Sequence, residues 1–232
     1  GEPAEIIQIT DVHFNAINEQ DYIDNNPTVI SSYEKHTAGQ NGSHLERAQR
    51  CMEYATKFYD QTIITGDNMS FQTWGGIEQI QNALWGTDPS AMITLGNHDM
   101  MQRMSGLYPE TTSLDSRYST LQENWRHDVY YHSRLVKDKV LVVQMDNALS
   151  YYTEEQAEKL TADIKRAREN GYIILLFQHV PLMTNNPKYN AVVGLTSKDQ
   201  TDVVDFSTND GFDGIRTNKN AITTEVYNII SQ

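Results

Sequence analysis

Short apolar runs recur along the chain, and each gives way to polar, chemically capable residues. They are 5–10 (EIIQIT), 61–65 (QTIIT), 91–95 (AMITL), 139–145 (KVLVVQM) and 172–177 (YIILLF). Runs of this length, rich in β-branched residues and separated by helical patterns, predict an α/β layered fold around a largely buried sheet. A further stretch, Val129 to Val136, alternates and reads as a strand with His132 on its surface.

The helical patterns are equally local. Ser43 with Glu46 forms a capping box, after which Leu45, Ala48, Met52, Ala55 and Tyr59 recur at helical spacing. Thr153 with Gln156 repeats the device ahead of Ala157, Leu160, Ile164 and Ala167, and Gly171 stands just past the end. A weaker helix runs from about Trp74 to Trp85 and stops at Gly86, and Ala221 to Ile230 reads as the last. The stretches 15–42, 100–127 and 184–219 carry few periodic apolar positions and read as long loops around the strand ends.

Composition narrows the function. With 232 residues, 38% hydrophobic and 21% charged, the chain can bury one substantial core, so residues 1–232 read as a single domain. No run approaches bilayer length. A single cysteine, Cys51, excludes an intramolecular disulfide and a cysteine-rich zinc site, and reads as a small buried hydrophobe on a helix. The net charge of −13 disfavours a dedicated nucleic-acid surface. The first residue is Gly1, so a soluble protein is expected, cytoplasmic or secreted after removal of a signal.

The chemistry sits where the apolar runs stop. Asp11-Val12-His13 follows the first run and sets a hard oxygen beside an imidazole. Gly66-Asp67 follows the second, the glycine permitting a sharp turn. Gly96-Asn97-His98-Asp99 follows the third. Asn97 offers a neutral carbonyl oxygen, His98 a proton, and Asp99 a carboxylate able to pair with that imidazole. His179 follows the run ending at Phe177. Taken singly, each motif also fits a cap or a turn. Together they place Asp, His, Asp, Asn, His and His at strand ends, where open α/β sheets bind ligands. Oxygen and nitrogen donors without thiolate suit Mn, Fe, Zn or Mg.

In this order the motifs resemble the calcineurin-like metallophosphoesterase superfamily, whose series is Asp-x-His, Gly-Asp, Gly-Asn-His-Asp or -Glu, a lone His, and Gly-His-x-His. The resemblance implies a layered αββα two-sheet sandwich with two divalent metal ions at one sheet edge. Asp11 and His13 would bind the first ion, Asp67 would bridge both, and Asn97 and His179 would bind the second. His98, with Asp99 behind it, would act as the catalytic group outside the metal shell. The implied activity is hydrolysis of a phosphomonoester or phosphodiester by a metal-activated hydroxide. Two cations about 3.5–4 Å apart stabilise both ends of such a displacement.

The fifth motif is absent, for no histidine follows His179. Truncation and divergence both account for this, the latter with His36, His44, His127 or His132 substituting. Truncation is the reading adopted, since none of the four follows an apolar strand as required. It carries the expectation of a fold missing its C-terminal strands, with an exposed sheet edge open to self-association. The rival reading is a non-catalytic member serving as a binding or scaffold module, against which His98 and Asp99 speak. Asp146 and Asn147 are a further pair that either touches the site or forms a turn.

Overall fold

The computed structural model describes residues 2–25, 27–38, 44–100, 114–149, 152–180 and 221–230. Two three-stranded sheets form the centre. In the first, β1 (Ile6–Ile9), β2 (Gln61–Thr65) and β3 (Met92–Thr94) run parallel in that order. In the second, β4 (Tyr131–Val136) pairs antiparallel with β5 (Val140–Met145), which pairs parallel with β6 (Ile173–Phe177). Lys137 and Asp138, both at positive φ, make the tight turn between β4 and β5.

The alternation of side chains along each strand explains the layering. Ile63 of β2, Met92 of β3, and Val140 and Val142 of β5 point into the space between the sheets. Ile64 and Ile93 point the other way, under Met52 of α3 (His44–Phe58), Ile77 of α4 (Trp74–Gln79), and Trp85. Leu141 and Val143 face outward beneath Leu160 of α6 (Glu154–Asn170) and Val226 of α7 (Ala221–Ile230). The result is the expected order of helices, sheet, sheet, helices. Gln144 crosses between the sheets, its amide nitrogen 3.1 Å from Ile64 O and 2.9 Å from Met92 O.

The expected strands and helices are present with ends trimmed by a residue or two. Thr153 caps α6 with Gln156 answering it, and Gly171 closes the helix in a left-handed conformation. The Trp74 helix continues past Gln79 as a π-helical turn, Ile80–Leu84, that ends before Gly86. Ser43 lies outside the described residues. On α3, Met52 and Ala55 are buried, but Leu45 is exposed and Cys51 only half-buried. Trp85 and Trp125 are core residues packed edge to face at 5.2 Å.

Two expected loops hold helices instead. The polar stretch 15–42 contains α1 (Glu19–Asp24) and α2 (Pro27–Thr37). Asn18 and Asp21 form a capping box, and buried Asp21 also accepts from the N–H groups of Trp74 and Gly75 at 2.9 Å each, fastening α1 to the start of α4. Within 100–127 lies α5 (Leu114–Asn124), which buries Tyr118 and Leu121. The stretch 184–219 lies outside the described residues.

Candidate metal centre

The chain leaves β1 and β2 side by side and keeps pairing after both strands end. The N–H groups of Asp11, His13 and Phe14 donate to the carbonyls of Gly66, Asp67 and Asn68 at 3.2, 2.9 and 2.8 Å. Asp11, His13 and Asp67 all adopt left-handed backbone, with φ of 55°, 50° and 50°. That conformation disfavours a residue with a Cβ. Here it turns the three side chains toward one another. One ligand atom from each lies within 4.8 Å of the others.

Two carboxylates and an imidazole so placed fit a divalent cation. Nε2 of His13 stands 3.7 Å from Oδ1 of Asp11 and 3.6 Å from Oδ2 of Asp67. Among the described residues, no lysine or arginine pairs with either carboxylate. Burial lowers the pKa of His13, as does the neighbouring His98, against the raising pull of Asp67 and Asp11. The ring is thereby biased toward the neutral form that metals bind.

The other oxygen of Asp67 faces a second group of donors. Oδ1 accepts the His98 N–H at 3.0 Å and lies 3.3 Å from Nε2 of His179. That same Nε2 is 3.2 Å from Oδ1 of Asn97. The His179 ring donates from Nδ1 to the Thr65 carbonyl at 2.8 Å, which leaves Nε2 as the nitrogen directed into the site. Burial opposes a charge on this ring, but the hydrogen bond to Asp67 and its negative charge raise the pKa to about 9. Burial, the largest effect on Asp67, raises its pKa, but the hydrogen bonds from His179 and His98 and the charges of both together lower it below the ordinary value.

Glycine makes this approach possible. A Cβ on Gly66, whose φ is +79°, would come within 2.6 Å of Cγ and Nδ1 of His179. A Cβ on Gly96 would stand 2.1 Å from the Asp67 nitrogen.

His98 stands beside the first group, its ring edge-on to that of His13 with centroids 4.9 Å apart. Its Nδ1 donates to the Ser70 carbonyl at 3.1 Å, so its Nε2 is the nitrogen left for other chemistry. The Ser70 hydroxyl lies 3.4 Å from Nδ1 of His13. One residue therefore contacts both imidazoles.

Asp99 departs from the expected pairing with His98. Its buried carboxylate accepts instead from Asn68 N and Nδ2, Met69 N and Gly96 N, at 3.3, 2.8, 2.8 and 2.8 Å. It ties the turn after β2 to the turn after β3. Burial and the nearby Asp67 push its pKa up to about 6, against the pull of these donors. The short helical turn at His98–Met100 explains the difference, since adjacent side chains on a helix diverge.

All the strand-end residues singled out in the sequence thus gather at one end of the sandwich, with Asp99 beneath them. The sequence offered no signal for Ser70, whereas His44, one of the histidines weighed as a substitute ligand, brings its Nδ1 to 3.3 Å from the His13 carbonyl. His127 and His132 stack on each other at 4.5 Å on the β3–β4 side. His127 Nε2 accepts from the Ile93 N–H at 3.0 Å, an internal bond that accounts for its lone pair. Among the described residues, no helix is long and apolar enough to cross a membrane.

The family model described as calcineurin-like phosphoesterase matches residues 4–211. No curated protein matches the chain.

Proposed function

Because the chain belongs to the calcineurin-like phosphoesterase family, whose members are metal-dependent, we propose that it hydrolyses a phosphomonoester or phosphodiester at a two-cation site. The observation that carries this reading is the placement of Asp67. One of its oxygens faces His13 and the other faces His179, so a single carboxylate is shared between two donor groups.

Asp11 and His13 complete the first group, Asn97 and His179 the second, and the described elements act as one domain. Two bound cations would neutralise and polarise the phosphoryl group. The chain's own residues set the geometry around that charge. Asp99 fixes the turns that carry Asp67 and Asn97, acting as a positioning residue. His98 keeps its Nδ1 proton on the Ser70 carbonyl and uses Nε2 to donate a proton toward the leaving oxygen. Gly66 and Gly96 allow the ligand-bearing turns to close without a gap.

Hydrolysis of p-nitrophenyl phosphate and of its bis-ester, with Mn²⁺ and after chelation, tests the proposal. Turnover should require the metal, and Asp67→Asn should abolish it. His98→Ala should lower kcat by roughly 10²–10⁴. Turnover that survives chelation and both substitutions would refute the reading.

A further inference from the structure

The ladder between β5 and β6 ends at the pair Gln144↔Phe177. Beyond it the chain carrying His179 has lost its backbone partner, yet it does not drift. The side chain of Asn147, buried at 3% exposure, takes over. Its Nδ2 donates to the Val180 carbonyl at 2.8 Å, and its Oδ1 accepts the Val180 N–H at 3.0 Å. A primary amide offers one donor and one acceptor side by side, the same pair that a strand backbone presents. Asn147 therefore supplies to residue 180 the donor and acceptor that a neighbouring strand would offer.

The clasp is itself held. The Tyr152 hydroxyl donates to Gln178 Oε1 at 2.7 Å and accepts from Asn147 Nδ2 at 3.3 Å. Gln178 Nε2 adds a bond to the Val180 carbonyl at 3.1 Å. Residues on both sides of His179 are thus anchored to the segment after β5. Neighbouring Asp146 accepts its hydrogen bonds from the Tyr118 hydroxyl and the Ala148 N–H, and its buried carboxylate meets His179 through charge alone. Of the pair noticed in the sequence, Asn147 reaches toward the site and Asp146 forms the turn.

We infer that Asn147 is a positioning residue for the second cation, holding the turn that presents His179 beside Asp67 and Asn97. This rests on the two-cation reading given above. Consecutive Cα atoms are about 3.8 Å apart, so a shift at Val180 passes directly to the His179 ring. A carboxylate at position 147 could accept the N–H but not serve the carbonyl. An alanine could do neither.

The test compares wild type, Asn147→Ala and Asn147→Asp by calorimetric titration with Mn²⁺ and by histidine ¹⁵N spectra of the metal-free protein. Affinity at one of two sites should fall about 10–100-fold in both variants, the other staying within a few-fold. The His179 signals should shift while those of His13 and His98 stay. Should Asn147→Ala fail to fold, the near-isosteric Asn147→Asp carries the test alone. Two unchanged affinities and an unmoved His179 signal would overturn the role of Asn147 and leave the two-cation reading standing. Wild-type protein that binds no Mn²⁺ would instead overturn the two-cation reading, and the inference with it.

Discussion

His179 reaches over from the second sheet to stand 3.3 Å from the Asp67 carboxylate of the first. In the metal-free protein this is an ion pair, with the His179 pKa raised from 6.5 to about 9. Below pH 6.5 folded and unfolded chains both carry that proton, and the contribution to stability is complete. As pH rises from there through about 9, it is lost.

A bound cation reverses the sign, because the ring must lose its proton to become a ligand. Melting temperatures measured across pH 6.5 to 9 should therefore fall in chelator and rise in saturating Mn²⁺, relative to His179→Gln under the same conditions. Parallel slopes for the two conditions would show that His179 does not meet the metal.

Gly66→Ala should displace the second donor group without replacing any ligand residue. The added methyl would overlap the His179 ring at 2.6 Å, and the residue sits at φ +79°. Left-handed backbone costs a Cβ-bearing residue about 1–2 kcal/mol, which denaturant unfolding of the metal-free variant should register. A Mn²⁺ titration should show one site weakened far more than the other.

Asp11→Gly should act in opposite directions on fold and site. Asp11 is more than half exposed and holds φ of 55°, so glycine relieves strain and removes a carboxylate that faces Asp67 across His13. The metal-free variant should gain about 1 kcal/mol in chemical denaturation while losing its first cation. A variant less stable than wild type without metal would contradict the strain reading.

Far from the centre, His127 makes the fold sensitive to acid. Burial, with His132 and Arg134 nearby, lowers its pKa from 6.5 to about 4, despite the Asp128 carbonyl bond that opposes it. A depressed histidine contributes stability above pH 6.5 that is lost as pH falls toward 4. Unfolding free energies should drop by about 3 kcal/mol over that window relative to His127→Gln, in metal-free protein throughout.

How much of this the sequence disclosed depends on range. Asp11, Asp67, Asn97 and His179 were legible because each directly follows a run of apolar residues, and strand ends are where an α/β sheet meets its ligands. The partner of Asp99 was not legible, since its direction is set by the turn at His98–Met100 and by donors 30 residues away. Helix α1 hid in a polar stretch because Asn18 and Asp21 cap it without the usual Ser or Thr and Glu or Gln. Asn147 could be seen only as one of a pair with two readings. Its partner, Val180, lies 33 positions along the chain.

The seam between the sheets, bridged inside by the Gln144 amide, also runs through the proposed metal pair. Asp11, His13, Asp67 and Asn97 all come from the first sheet, and His179 alone from the second. The donors for the first cation can gather as soon as β1 and β2 associate. Those for the second exist only after the two sheets have docked. On the proposed two-cation site, the second cation would thus report on assembly, arriving last as the protein matures and departing first when the sandwich loosens.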